Sequence, residues 1–225
     1  SNFVDKYRLR VSGRTTANLN KHLFWKGYYA YGTESQKHYY GTEITYSLNK
    51  KKNVPFEFPQ RNITFETGYD VMSPADKFLI HNKDNVFMSL RTQKVEQMYF
   101  YNRQKLSFDY ETDWGFSINT SVKAESNRPT GDLVFKKMPG AITNPTADGN
   151  EYVNRIRTTE FKIGLRYCPG QTFINTKQQR WPVNLDAPEF TVSHTVGLNN
   201  VLGGQYKLNF TEAGIYKRFW MGSWG

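Results

Sequence analysis

Four histidines, His22, His38, His81 and His194, and one thiol, Cys168, are the residues of this 225-residue chain best suited to proton transfer or metal binding. Imidazole titrates near neutral pH and acts as a general base, and imidazoles, thiolates and carboxylates at close spacing hold zinc. None of the four histidines stands at metal-ligand spacing from another His, from Cys168 or from a carboxylate. His22 and His38 fall at the starts of alternating segments and His81 in a loop, while His194 lies on the apolar side of its segment as a packing residue. No GxSxG, HExxH or phosphate-cradling glycine run occurs. Gly203-Gly204 reads as a hairpin turn, and the Asn-x-Ser/Thr matches at Asn62, Asn119 and Asn209 lie within predicted strands. A lone cysteine excludes an internal disulfide framework and marks a neutral strand end rather than a nucleophile. Nothing specifies a cofactor, and the expectation is a non-enzymatic protein.

A second constellation is electrostatic. Arg8, Arg10, Glu43, Glu66, Asp70, Glu160, Lys162 and Arg166 share one face of their alternating segments. As the lining of a lumen they would select what passes; as a cross-strand lattice of ion pairs they would stiffen an interior. Scattered charges of both signs favour the lattice. The opposite face carries Trp25, Ile44, Phe65, Phe108, Ile118, Ile163 and Val192, the candidates for contact with lipid.

These residues belong to segments of period two. In HLFWKGYYAYG (His22 to Gly32), Leu23, Trp25, Gly27, Tyr29 and Tyr31 alternate with Phe24, Lys26, Tyr28 and Ala30. The same alternation runs through Tyr7 to Gly13, Tyr40 to Leu48, Ile63 to Asp70, Lys105 to Tyr110, Trp114 to Lys123, Glu160 to Tyr167 and Phe190 to Val196. A short run at Val86, Met88 and Leu90 and a last one beginning Tyr206, Leu208, Phe210 complete about ten strands of 7 to 13 residues. Turns are placed at Glu34 to Gln36 and Thr112-Asp113, and long loops at Asn49 to Gln60, Val71 to Asn85, Asn127 to Asn150 and Pro169 to Pro188. Helical spacing never outlasts a turn, so the fold class is all-β and antiparallel, one domain over residues 1–225.

The composition is polar on average but heavily aromatic, with 15 Tyr, 16 Phe and 5 Trp and 38% hydrophobic residues. No stretch approaches the roughly 20 apolar residues of a membrane-spanning helix. A membrane barrel stays open, because its strands are short and alternate. Tyr29, Tyr31, Tyr40, Tyr46, Trp114 and Tyr167, with Trp25, lie toward strand ends on the apolar face, as aromatic girdles would. A soluble lipocalin-like barrel or sandwich, binding an apolar ligand or a surface, has the same alternation and is the alternative. The net charge of +10 points to anionic partners, yet its scatter excludes a nucleic-acid recognition pattern. Lys50, Lys51, Lys52, Arg128, Lys136 and Lys137 read as solvated basic loops within reach of lipopolysaccharide phosphates.

Several segments, in order, carry a resemblance: GRTTANLN (Gly13 to Asn20), YSLNKKKNVPFEFP (Tyr46 to Pro59), KDNVFMSL (Lys83 to Leu90), LRYCPGQ (Leu165 to Gln171) and GIYKRFW (Gly214 to Trp220). The chain resembles the C-terminal barrel of a Bacteroidota outer-membrane family of unassigned function. Its members carry an N-terminal carboxypeptidase-regulatory-like domain, and the barrel is distantly similar to surface antigens of the outer-membrane assembly-factor type. The resemblance covers nearly the whole chain, but its motifs carry no chemistry. It implies an antiparallel up-and-down transmembrane β-barrel in the outer membrane of a Gram-negative bacterium, serving transport, outer-membrane assembly or surface attachment. The partners it implies are outer-membrane lipid and other outer-membrane or periplasmic proteins. It also implies that these residues are a piece of a larger barrel, without the N-terminal domain and the final strands.

Overall fold

A computed structural model describes residues 4–74, 97–136, 152–177 and 179–219. Among these described residues thirteen strands form: β1 (Arg8–Arg14), β2 (Leu23–Gly32), β3 (His38–Ser47), β4 (Arg61–Met72), β5 (Gln97–Glu111), β6 (Phe116–Gly131), β7 (Phe135–Lys136), β8 (Tyr152–Val153), β9 (Ile156–Tyr167), β10 (Phe173–Asn175), β11 (Arg180–Pro182), β12 (Glu189–Gly197) and β13 (Leu208–Tyr216). Nine of them make one antiparallel sheet in the order β1-β2-β3-β4-β5-β6-β9-β12-β13. The small hairpins β7–β8 and β10–β11 stand outside it. The sheet is a meander that is not closed on itself, and β1 and β13 are its edges.

All nine sheet strands lie where the alternation places them. The run at Val86 to Leu90 and His81 lie outside the described residues. Several boundaries differ from expectation: β4 runs on to Met72, β9 begins at Ile156 rather than Glu160, and the expected loop Pro169 to Pro188 holds β10 and β11. β5 and β6 have 15 and 16 residues, longer than the 7 to 13 expected, and β6 continues to Gly131 through what reads as loop. From Ala124 onward β6 has lost its apolar face, so backbone pairing to β5, not a hydrophobic pattern, sustains it. Its ladder with β9 ends at Asn127–Ile156, which leaves Pro129 on an open edge where a missing N–H is tolerated.

The register aligns like with like. Trp25, Ile44, Phe65, Leu106, Val122, Phe161 and Val196 follow one another across seven strands in a single row. The next row on that face holds Ile63, Phe108, Thr120, Ile163 and His194, and the one after it Tyr110, Ile118, Leu165 and Val192. All seven apolar candidates therefore share a face, and that face is uncovered: Trp25, Ile44, Phe65 and Val192 are 44, 42, 42 and 49% exposed. The opposite face is the buried one, although it holds Thr45, Ser47, Asn62, Thr64, Ser107 and Ser121. β13 departs from this phase, because Phe210 and Leu208 pair with Thr195 and Gly197 and so stand on the polar side.

The polar face is concave. Arg8 on β1 donates to Asp70 on β4 at 2.6 Å, although three strand spacings separate them, ~14 Å on a flat sheet. Only a curled sheet brings the two side chains together. Near that end, Ala30, Tyr39, Val71, Met98 and Phe100 form the main buried apolar cluster.

Candidate functional site

The concave face gathers the charges into one ladder. Arg14, Lys26, Glu43, Glu66, Lys105, Lys123 and Glu160 stand directly opposite one another on β1, β2, β3, β4, β5, β6 and β9. Their signs run plus, plus, minus, minus, plus, plus, minus. Ion pairs form wherever the sign changes: Lys26–Glu43 at 3.4 Å, Lys105–Glu66 at 2.9 Å and Lys123–Glu160 at 2.9 Å. Like charges directly opposite are unfavourable in a sheet unless each has a counter-ion on its other side, and this pattern supplies one for every member from Lys26 to Glu160.

Next to the ladder, Asp70 is a hub. It accepts from the Arg8 guanidinium and from the Tyr28 hydroxyl, the latter at 2.5 Å. Arg10 lies over the Tyr28 ring, 3.9 Å from its centre. Arg103 donates to Glu125 at 2.6 Å, and Asn127 donates to the other carboxylate oxygen. Glycines make room for these rings: a Cβ on Gly41 would collide with the Tyr28 ring. Between the ladder and the Tyr28–Arg103 row, an open cavity of about 570 Å³ is floored by Gly41 and Gly68 and walled by Arg10, Arg14, Tyr28 and Arg103.

Each of the eight charged candidates lies on this face. Glu43, Glu66 and Glu160 are ladder members; Arg8, Arg10 and Asp70 belong to the hub. Arg166, farther along, holds Glu189 at 2.8 Å and Gln171 at 2.6 Å. Lys162 stands between Ser121 and Thr195, with no ion pair among the described residues. Sequence reasoning missed Lys26, Lys105, Lys123, Arg103 and Glu125 as partners, because only the register identifies which charges face each other. Alternation did place Lys26, Lys105 and Lys123 on the right face, while Arg103 and Glu125 lie beyond the segments it marked.

One end of the sheet is capped by loops, and there the basic loop behaves unlike the expectation. Lys50 and Lys52 are exposed, but Lys51 is 2% exposed, so it is not a solvated cation available to a phosphate. Its ammonium donates to the carbonyls of Glu57 and Pro59 at 2.8 and 2.7 Å. Burial pushes its pKa down to about 8, against the pull of Glu57 and Glu111. The Glu57 carboxylate in turn accepts from the backbone N–H groups of Lys52, Asn53 and Val54. Beside them Arg180 clamps Glu111 through two bonds of 2.7 and 2.8 Å, and Phe58 and Asn175 exchange backbone–side-chain bonds. Arg128 and Lys136 are exposed, and Lys137 lies outside the described residues.

The histidines play local parts. His22 Nδ1 lies 2.7 Å from the Ser47 carbonyl and the ring stacks on Tyr46. His38 meets the Tyr29 hydroxyl, and His194 Nδ1 meets the Thr211 hydroxyl at 2.8 Å. Among the described residues no group of three His, Cys, Asp or Glu side chains is arranged to hold a metal ion. Cys168 is buried, and burial pushes its thiol pKa up, away from the thiolate a nucleophile needs.

No curated protein and no solved structure matches the chain. A family model does, over residues 2–225: the C-terminal domain of a family of unknown function, DUF5686. With the match covering all but its first residue, the chain belongs to the DUF5686 family and corresponds to its C-terminal domain.

Proposed function

We propose that this sheet is part of the wall of an antiparallel up-and-down transmembrane β-barrel in the outer membrane of a Gram-negative bacterium. Its role is non-enzymatic: transport, outer-membrane assembly or surface attachment. The observation that carries the reading is the inverted polarity. A single sheet in water buries its apolar face; here rows of Trp, Ile, Phe, Leu and Val are exposed while Ser and Thr of the opposite face are buried and ion pairs such as Lys105–Glu66 and Lys123–Glu160 are partly so. Lipid is the environment that satisfies such a face.

Two aromatic groups support it. Trp114, Phe116, Tyr167 and Phe190 stack in series at the capped end, and Tyr29, Tyr31 and His38 pack together at the other. Along β3, His38 and Tyr46 are about 27 Å apart at 3.4 Å per residue, or roughly 20 Å along the normal for a strand tilted ~40°. That approaches the apolar band of ~25 Å between the girdles of such barrels. Inside, the paired ladder acts as a stiffening lattice, and exposed basic side chains stand at both ends, Lys50 and Lys52 at the capped one and Arg128 near the other, so that the end facing outward meets lipopolysaccharide phosphates with its own set.

Heat-modifiable gel mobility of the protein extracted in mild detergent tests this. A band that migrates faster unheated than boiled is expected. A protein that shows no shift and stays monodisperse without detergent sinks the membrane reading and makes the exposed rows a binding or packing surface.

A further inference from the structure

The charge ladder ends unbalanced at β1, and the imbalance describes what the β1 edge receives. Arg14 faces Lys26 across the β1–β2 ladder, while Lys26 is already engaged with Glu43. No carboxylate among the described residues contacts Arg14. Arg10, two face-steps further along past Ser12, has only the Tyr28 ring among the described residues. Every other cation of the ladder has a carboxylate on a neighbouring strand, so the vacant position beside Arg14 is where the alternation demands the next one.

The backbone points the same way. Thr33 N–H donates to the Tyr7 carbonyl and Thr15 N–H to the Trp25 carbonyl, so the odd-numbered residues of this stretch turn their backbone groups toward β2. In an antiparallel ladder the alternate residues turn theirs outward. Arg8, Arg10, Ser12 and Arg14 thus present N–H and C=O groups that no other strand pairs among the described residues, and cationic or polar side chains on the concave face. An edge of this kind is a template for a further strand.

β13, the other edge, does not meet the need. Counting the antiparallel steps across nine strands, it runs parallel to β1, and its concave-side residues include Leu208, Phe210 and Gly214 beside a single carboxylate, Glu212.

We propose that the β1 edge receives an antiparallel polypeptide strand from outside this nine-stranded sheet, carrying carboxylates opposite Arg14 and Arg10, a small polar residue opposite Ser12 and apolar residues between. Read from its N-terminus, the occupant has the form acidic–apolar–polar–apolar–acidic–apolar. Main-chain bonds supply attachment, and the two carboxylates complete the plus–minus alternation and set the register.

The test uses the chain in mild detergent and two fluorescent peptides, one with the core Glu-Val-Ser-Val-Glu-Leu and one with Lys in place of both Glu. Anisotropy titration is expected to give the acidic peptide at least about tenfold tighter binding, since like charges across an interface are strongly disfavoured. The double variant Arg10→Glu/Arg14→Glu, checked for an unchanged circular dichroism spectrum, is expected to reverse the preference. Hydrogen exchange should slow at the amides of Arg8, Arg10, Ser12 and Arg14 when the acidic peptide is bound. Equal binding of the two peptides, no binding of either, or a preference that survives the charge reversal overturns the proposal. Any of these leaves the gel-mobility result for the membrane reading intact, because the argument rests on register and charge rather than on lipid.

Discussion

Phe65→Arg separates a lipid-facing sheet from one that faces water. Phe65 stands on β4 opposite Ile44, in the row of large apolar side chains, and is 42% exposed. Ile44 is two residues from Tyr46 and four from Tyr40, so the Phe65 row lies inside the band between the aromatic ends. In water the change removes a half-exposed ring and replaces it with a stem that covers similar surface, a loss of about 1 kcal/mol or less. In lipid the guanidinium costs about 2–4 kcal/mol at the midplane, falling toward 0–1 at the interface. At the depth of Phe65, about halfway from the Tyr46 end to the middle of the band, the expected destabilisation is about 1–2 kcal/mol. Phe190→Arg, at the start of β12 within the aromatic stack, should cost about 0–1 kcal/mol. The assay is reversible urea titration of folding into phospholipid vesicles, followed by tryptophan fluorescence, with both variants against the unchanged chain. A Phe65→Arg penalty below about 1 kcal/mol, or one equal to that at Phe190, refutes the depth argument.

Other expectations follow from the capped end and the concave face. Arg180→Ala leaves the buried Glu111 carboxylate without its clamp and should destabilise by about 2–3 kcal/mol; the double variant with Glu111→Leu should recover part of that loss in the same titration, and an unaffected single variant would show that the cap contributes nothing. Lys51 has a folded pKa of about 8 against its ordinary value of 10.5, so between those values the unfolded chain holds a proton the folded one has released. Its contribution to stability therefore rises with pH over that interval, by up to about 3 kcal/mol; subtracting the profile of Lys51→Met should expose the rise, and parallel profiles would refute the buried-ammonium account. Gly41→Ala pushes a Cβ into the Tyr28 ring and should cost about 1–3 kcal/mol, with a change in the near-ultraviolet circular dichroism of the tyrosines. Gly164→Ala, whose Cβ would meet its nearest atoms only at 3.8 and 3.9 Å, should be nearly neutral by the same measurements.

Much of the architecture was legible in the residues because a strand has a period of two. Trp25, Ile44, Phe65 and Ile163 alternate with Lys26, Glu43, Glu66 and Lys162, and that alternation alone assigned the strands and the two faces. It also separated the apolar candidates from the charged ones, and the register puts the two sets on opposite faces of the sheet. What alternation does not encode is register across strands. That Arg14, Lys26, Glu43, Glu66, Lys105, Lys123 and Glu160 stand in one row is decided by hydrogen-bonded pairing between segments far apart in the chain. The same holds for Arg180 reaching Glu111 across 69 positions. β6 past Ala124 was illegible for a related reason, since its pairing needs no apolar face.

Lys51 marks the sharpest division. In sequence it is the middle of three lysines, and a solvated loop is the economical reading. Only the folding of residues 49–60 back on themselves removes its stem from water and aims its ammonium at two carbonyls. The curl of the sheet is likewise a tertiary property, because it takes Arg8 and Asp70 together to reveal it. Composition and period determine which side chains share a face; twist, register and loop closure determine which of them meet, since those depend on contacts that no local pattern contains.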